Sequence, residues 1–187
     1  MKLILGSQSP RRRELLAGLD IPFTAVTIDA DESFPSALQG GEIALYIACA
    51  KSEVYRSRLA EDEVLITSDT IVWCEGQMLG KPKDREDAIR MLRLLSGKTH
   101  QVYTGVCIAG GGHRREFVVE THVTFRALED AEMAYYVDRY HPMDKAGAYG
   151  IQEWIGYVAC EKLEGSYFNV MGFPVQKVYQ ELKKMGF

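Results

Sequence analysis

The chain has 187 residues, of which 47% are hydrophobic and 26% charged, and its formal net charge is −4 at pH 7. This composition is typical of a folded protein with one domain or two small lobes. The acidic balance argues against general binding to nucleic-acid polymers or membrane surfaces, which depends on an excess of Lys and Arg. The four cysteines lie far apart without zinc-motif spacing, so we expect reduced thiols in a cytoplasmic protein.

The N-terminal segment predicts a strand, a tight turn and a helix that begins with three arginines. Residues 2–5 form a short, mostly apolar run that fits a buried strand, and Gly6-Ser7 ends it. Ser9 is a good N-cap, and Pro10 fits the first helical position. Cations are unfavourable at the positive end of a helix, so Arg11–Arg13 indicate a phosphate-binding site more strongly than a solvated basic face.

The rest of the chain alternates between predicted strands and helices, and this interleaving predicts an α/β fold with a twisted mixed β-sheet flanked by helices. The expected strands cover residues 23–28, 64–73, 102–108, 117–125 and 157–163. The expected helices cover residues 41–59, 84–97, 130–140 and the segment from 174 onward. The glycine run 110–112 lacks a strand-to-helix context, so it predicts a hairpin with a long glycine loop and not a phosphate loop.

An acidic residue interrupts one of the most apolar predicted strands. Asp69 lies within the run 65–72, where its neighbours predict burial. A buried carboxylate is costly unless it is paired, hydrogen-bonded or metal-bound, so Asp69 is a candidate catalytic or metal-binding group. The alternative is a structural carboxylate satisfied by backbone donors. The hydroxyl of the adjacent Thr70 favours the functional interpretation.

Three other short segments carry weaker indications. Gly80-Lys81-Pro82 combines a backbone that can approach a ligand with a fixed cation, although such a tripeptide is most often an ordinary loop. Lys51 lies in a predicted helix, where a solvated lysine is the default expectation. Asp31 and Glu32 either hold a hard cation such as Mg²⁺ beside a phosphate or form a solvated acidic loop, and both interpretations stay open.

The run Asp144–Gln152 is rich in small residues and ends in an amide. Gln152 offers both a hydrogen-bond donor and an acceptor, which suits the edge of a nucleobase. The alternative is an ordinary loop that packs against the sheet. The later segment Gly165–Asn169 precedes the last predicted helix and is typical of a cap.

Taken together, these segments resemble the Maf family of nucleoside triphosphate pyrophosphatases. The matching segments, in chain order, are residues 5–12, 68–72, 80–82, 95–97, 104–106, 144–152 and 165–167. Each segment alone is weak evidence, whereas the ordered set covers nearly the whole chain and is highly specific. The run 144–152 looks like the family branch that prefers dTTP and UTP, and not the branch that acts on methylated GTP.

The resemblance implies a single Maf-like domain over residues 1–187, with two lobes around a nucleotide cleft as in the ITPase-like fold. It implies hydrolysis of dTTP and UTP to the monophosphate and pyrophosphate as house-cleaning of nucleotide pools. A divalent cation, Mg²⁺ or Mn²⁺, is the implied cofactor, and a homodimer is the implied assembly. The alternatives are a pyrophosphatase for 7-methyl-GTP or other purine triphosphates, and a non-enzymatic nucleotide-binding regulator of cell division and septum formation.

The resemblance also implies roles for individual residues. Asp69 is the implied general base. The positions that match phosphate-binding residues of the family are Ser7, Arg11, Arg12, Lys51 and Lys81. The positions that match residues setting base preference are Arg12, Thr70 and Gln152. From the residues themselves, the candidate metal ligands are Glu32 and Asp69, because carboxylate oxygens suit a hard cation.

Overall fold

A computed structural model describes residues 1–187 and shows a mixed seven-stranded sheet flanked by helices. The strands are β1 (Lys2–Gly6), β2 (Phe23–Val26), β3 (Glu63–Cys74), β4 (Gln77–Leu79), β5 (Thr99–Gly110), β6 (His113–Phe125) and β7 (Cys160–Glu164). The helices are α1 (Pro10–Ala17), α2 (Gly41–Tyr55), α3 (Arg85–Leu95), α4 (Asp130–Tyr140), α5 (Trp154–Ala159), α6 (Tyr167–Val170) and α7 (Val175–Lys184). Short 3₁₀ helices cover Arg56–Arg58 and Ala146–Ala148. The predicted α/β class with a mixed sheet is confirmed.

The strand order places β1 between two parallel neighbours. The order is β2-β1-β3-β5-β6-β7, and β4 pairs with β3. Leu5 of β1 is aligned with Ala25 of β2 on one side and with Ile66 of β3 on the other. Because ligands of α/β sheets bind beyond the carboxyl ends of parallel strands, the end of β1 is a favourable position for a site. The β3–β4 and β6–β7 pairs are antiparallel.

The chain forms two compact units. Unit 1 comprises Met1–Thr70, Thr104–Val119 and Gly172–Phe187, and unit 2 comprises Ile71–Tyr103 and Glu120–Met171. Each unit has its own set of fully buried apolar side chains. Those of unit 1 include Leu5, Leu16, Ile43, Ile66, Ile108 and Phe173. Those of unit 2 include Leu79, Leu92, Leu95, Phe125 and Tyr136. A single domain over the whole chain stays a prediction.

The hairpin of β5 and β6 is tighter than the sequence predicts. β5 ends at Gly110 and β6 begins at His113, so the turn contains two residues and is not a long glycine loop. Gly111 and Gly112 have φ angles of 58° and 77°. A two-residue turn of this kind needs positive φ at both positions, which glycine adopts without steric cost.

The predicted strand over residues 157–163 is wrong at its beginning. Residues Trp154–Ala159 form α5, and β7 begins only at Cys160. Tyr157, which we expected to lie in a strand, is 85% exposed on this helix. In so short a segment, the spacing of apolar residues cannot distinguish a strand from a turn of helix. None of the helices is both long and apolar enough to cross a membrane.

Candidate functional site

The connection between β1 and α1 forms the first part of the candidate site. The hydroxyl of Ser9 accepts a hydrogen bond from the amide of Arg12 at 3.4 Å, and Pro10 begins the helix. Ser7 is buried, and its hydroxyl accepts from the amide of Ser9 at 3.2 Å. The predicted strand, turn and capped helix are therefore confirmed. The hydroxyl of Ser7 lies at the helix N-terminus, where backbone N–H groups attract anions.

The guanidinium of Arg12 forms three hydrogen bonds within unit 1. Its Nε donates to the carbonyl of Gly172 at 2.9 Å, and its Nη1 donates to the carbonyl of Ser68 at 2.9 Å. Its Nη2 donates to Thr70 Oγ1 at 3.1 Å. Desolvation by burial lowers the pKa of Arg12, although the nearby charge of Asp69 opposes this shift. Arg12 is therefore not a solvated surface cation, and it connects α1 to the middle of β3.

Thr70 extends this hydrogen-bond network. Its hydroxyl donates to the carbonyl of Gly172 at 3.2 Å and lies 2.9 Å from the hydroxyl of Thr104. The φ angle of Gly172 is 111°, a conformation that glycine adopts and side-chain-bearing residues avoid. The carbonyl of Gly172 therefore accepts hydrogen bonds from both Arg12 and Thr70, two of the residues expected to set base preference. Sequence reasoning singled out the segment containing Thr104 and gave no indication of Gly172.

The carboxylate of Asp69 is paired with a lysine. Lys51 Nζ lies 2.8 Å from Asp69 Oδ1 and 2.8 Å from Glu32 Oε1. The side chains of Lys51 and Asp69 are only 12% and 16% exposed. The default expectation of a solvated Lys51 is therefore wrong. The structural alternative for Asp69, a carboxylate satisfied by backbone donors, is also not what the structure shows, because an ammonium group is its partner.

The carboxylates of Glu32 and Asp69 converge on the same cation, the ammonium of Lys51. Two convergent carboxylates form a donor set that hard divalent cations prefer, so these residues fit Mg²⁺ or Mn²⁺. Asp31 does not join them. Its carboxylate accepts from the amide and the hydroxyl of Ser33 at 2.9 and 2.8 Å. These hydrogen bonds lower the pKa of Asp31 and hold it in a local turn.

The other two arginines of α1 differ in their surroundings. Arg11 is half-buried and lies close enough to Arg12 for its charge to lower the pKa of that guanidinium. Arg13 is exposed, and its Nε donates to the carbonyl of Ser7 at 3.4 Å. Unit 1 therefore contains seven of the predicted site residues: Ser7, Arg11, Arg12, Glu32, Lys51, Asp69 and Thr70.

The two remaining predicted residues, Lys81 and Gln152, lie in unit 2. Lys81 is exposed and Pro82 beside it is buried. The amide of Gly147 donates to the carbonyl of Gly80 at 3.1 Å. The turn that carries Lys81 is therefore attached to the run that ends at Gln152.

Gln152 has a buried side-chain oxygen without a hydrogen-bond partner in the protein. An unsatisfied buried acceptor typically costs about 1–3 kcal/mol. Such a cost is expected where a ligand supplies the missing donor, so the position of Gln152 supports its predicted role at a nucleobase edge.

Ion pairs and a tyrosine hold the run before Gln152 in place. Lys145 Nζ lies 3.0 Å from Glu153 Oε1. The hydroxyl of Tyr136 donates to Glu153 Oε2 at 2.8 Å and accepts from the amide of Gly150 at 2.9 Å. Burial raises the pKa of Tyr136, which keeps this hydroxyl protonated as a donor. Sequence reasoning missed Glu153 and Tyr136, and the only indication was the position of Tyr136 in a predicted helix.

Comparisons with known proteins agree with the resemblance found in the sequence. Residues 2–185 match the family described as Maf-like protein. A relative from Bacteroides fragilis named dTTP/UTP pyrophosphatase is 56% identical over 98% of this chain and 96% of its own length. Proteins of the same name from Porphyromonas gingivalis and Flavobacterium johnsoniae are 54% and 46% identical, over 99% and 97% of this chain and 94% and 93% of their own lengths.

Among solved structures, the Ham1 protein of Staphylococcus aureus has a similar fold. The TM-score is 0.55, and the match covers 97% of this chain and 100% of the other at 14% identity. At this identity the likeness concerns the fold alone. The family to which the chain belongs follows from two other findings. The family model matches residues 2–185, and the relatives share 56% and 54% sequence identity with this chain over nearly their full lengths. The chain belongs to the Maf family.

Proposed function

We propose that this protein hydrolyses dTTP and UTP to the nucleoside monophosphate and pyrophosphate, and thereby removes unwanted nucleotides from the cellular pool. The observation that carries the proposal is the half-buried Asp69, paired with Lys51 at 2.8 Å beside the N-terminus of α1 and the Arg12 network. The relatives named dTTP/UTP pyrophosphatase, which match nearly the whole chain, support the choice of substrate.

Asp69 is the proposed general base. Its Oδ1 accepts a hydrogen bond from Lys51, which leaves Oδ2 as an acceptor for a water molecule. The water oxygen attacks the α-phosphorus while its proton passes to Asp69. The bond from the α-phosphorus to the bridging oxygen breaks, and pyrophosphate leaves with that oxygen. A general base of this kind typically contributes about 10²–10⁴-fold to the rate.

The cationic groups of the site are proposed to bind and orient the triphosphate. In unit 1 these are Arg11 and Lys51, assisted by the neutral hydrogen-bond donors of the Ser7 hydroxyl and the amides at the start of α1. Lys81, in unit 2, stays a predicted phosphate-binding residue. Phosphoryl transfer depends mainly on such positioning and on electrostatic stabilisation. A divalent cation held by Glu32 and Asp69 would neutralise charge on the phosphate oxygens. Arg12 keeps Thr70 and the middle of β3 in position.

The substrate range can be tested with a nucleotide panel. Pyrophosphate release is measured for dTTP, UTP, CTP, GTP and 7-methyl-GTP with Mg²⁺, with Mn²⁺ and with a chelator. We expect the highest kcat/KM for dTTP and UTP, and no turnover with the chelator. A preference for 7-methyl-GTP or another purine triphosphate would favour the other family branch. Inactivity across the whole panel would contradict the proposal. The homodimer and the cytoplasmic location stay predictions.

Gln152→Ala is expected to reduce discrimination between bases. The amide of Gln152 can accept from N3–H and donate to O4 of thymine or uracil. Losing a buried polar contact typically costs about 1–3 kcal/mol, so the preference for dTTP over CTP should fall roughly ten- to a hundred-fold. The measurement is kcat/KM for dTTP, UTP, CTP and GTP in the native protein and in the variant.

Gln77→Ala is the matched control for this substitution, because Gln77 is an exposed glutamine of the same unit. The control should keep the native ranking of substrates. If Gln152→Ala also keeps that ranking, the role assigned to Gln152 is wrong.

A further inference from the structure

Three potential metal ligands that the proposed reaction does not use lie together in unit 1. Cys49 belongs to α2, Cys107 to β5 and Glu116 to β6. The two sulfur atoms and a carboxylate oxygen all lie within 4.8 Å of one another. These residues are far apart in the sequence, so the spacing of the cysteines gave no indication of a metal site.

The distances suit a small thiophilic cation. A tetrahedral Zn²⁺ binds sulfur at about 2.3 Å, which places two thiolate sulfurs about 3.8 Å apart. The three donor atoms therefore need to approach one another by no more than about 1 Å, which side-chain rotation can supply. Cys107 is buried, Cys49 is half-buried and Glu116 is exposed, so the cation has access from the side of Glu116.

The hydrogen bonds around Cys107 favour the ligating form of the thiol. Hydrogen bonds from Cys49 and Ser52, together with the charge of Arg114, lower the pKa of Cys107 against the opposing effect of desolvation, whereas the hydrogen bond to Cys107 and burial raise the pKa of Cys49. A bound cation therefore has to displace the proton of Cys49. A thiolate, and not a thiol, is the form that binds a metal.

The charged side chains around Cys49, Cys107 and Glu116 are compatible with the binding of a divalent cation. Arg114 forms ion pairs with both Glu116 and Glu53, and Arg56 Nη1 lies 3.3 Å from Glu53 Oε2. With both cysteines deprotonated, two thiolates and two carboxylates face two guanidinium groups. A divalent cation balances the negative charge that remains, which offsets the cost of holding two thiolates so close together.

We propose that Cys49, Cys107 and Glu116 form a binding site for a thiophilic divalent cation of the zinc class. This site differs in its ligands from the carboxylate pair of the proposed reaction, because two sulfur donors select soft or borderline metals. The three ligands come from three elements, so an occupied site fastens α2 to the β5–β6 hairpin. A fourth position is left for a water molecule.

The test is a titration of the chelator-treated full-length protein with Co²⁺ as the probe. Thiolate ligands give a charge-transfer absorption in the near ultraviolet, and tetrahedral Co²⁺ gives strong visible bands. We expect both at one Co²⁺ per chain, with displacement by Zn²⁺ and a rise in Tm on metal addition. Cys49→Ser should weaken Co²⁺ binding and the charge-transfer band at least ~10-fold, since even outer-sphere partners of metal ligands contribute about 10–100-fold.

Two further variants make the titration decisive. Glu116→Gln replaces an exposed side chain and should fold normally, keep the charge-transfer band and weaken Co²⁺ affinity about tenfold. Cys160→Ser is the matched control, because Cys160 is also half-buried but lies in unit 2. It should bind Co²⁺ like the native protein. Absence of the bands in the native protein, or equal binding by Cys49→Ser and Cys160→Ser, would overturn the proposal.

Discussion

Asp69→Asn is expected to lower kcat for dTTP and UTP at least ~100-fold while nucleotide binding survives. The amide has the shape of the carboxylate and still offers an oxygen to Lys51, but it cannot take a proton from water. General bases contribute about 10²–10⁴-fold, which sets the size of the expected loss. Steady-state pyrophosphate release gives kcat, and equilibrium binding of a non-hydrolysable dTTP analogue gives the affinity.

Asp31→Asn is the matched control for this variant. Asp31 is the acidic neighbour of Glu32, and its carboxylate is engaged by Ser33 and not by Lys51. It should retain close to native turnover. Native turnover by Asp69→Asn would show that Asp69 is not the base. If Asp69→Asn abolishes turnover and yet preserves the cellular function of the protein, the alternative of a non-enzymatic regulator of cell division gains support.

Arg12→Lys is expected to lower kcat/KM for dTTP about 100-fold although the positive charge is kept. Lysine cannot reproduce the planar fork with which Arg12 reaches Gly172, Ser68 and Thr70. Loss of the fork removes the hydrogen bonds that hold the middle of β3 beside Asp69, and a displacement of about 1 Å at a catalytic group can cost about 10²-fold. The measurement is kcat/KM for dTTP and UTP together with Tm.

Arg13→Lys is the comparison for Arg12→Lys, because Arg13 occupies the next position of α1 and is exposed. It should leave both kcat/KM and Tm near their native values. Equal activity of the Arg12→Lys and Arg13→Lys variants would contradict the role given to the Arg12 network.

The parts of the site that depend on neighbours in the sequence could be predicted. Gly6-Ser7, Ser9 and Pro10 act through contacts within a few residues, so strand, turn and cap were visible in the sequence. The placement of Asp69 in a mostly buried strand followed from the apolar residues around it. In the same way, the helix predicted over residues 84–97 is present as α3, Arg85–Leu95.

The parts that depend on tertiary packing could not be predicted. Lys51 resembled a solvated helix residue, because its partner Asp69 lies on a strand that only the packed fold brings near α2. The carbonyl of Gly172 joins Arg12 and Thr70 from a distant part of the chain and has no side chain to indicate this role. The cluster of Cys49 and Cys107 also exists only in the folded chain.

The position of water attack tests the central claim most directly. Native protein hydrolyses dTTP in water enriched in heavy oxygen, and mass spectrometry locates the label in the products. Attack on the α-phosphorus, as proposed for the water activated by Asp69, predicts labelled thymidine monophosphate and unlabelled pyrophosphate. Label in the pyrophosphate, or release of orthophosphate with a nucleoside diphosphate, would contradict the account.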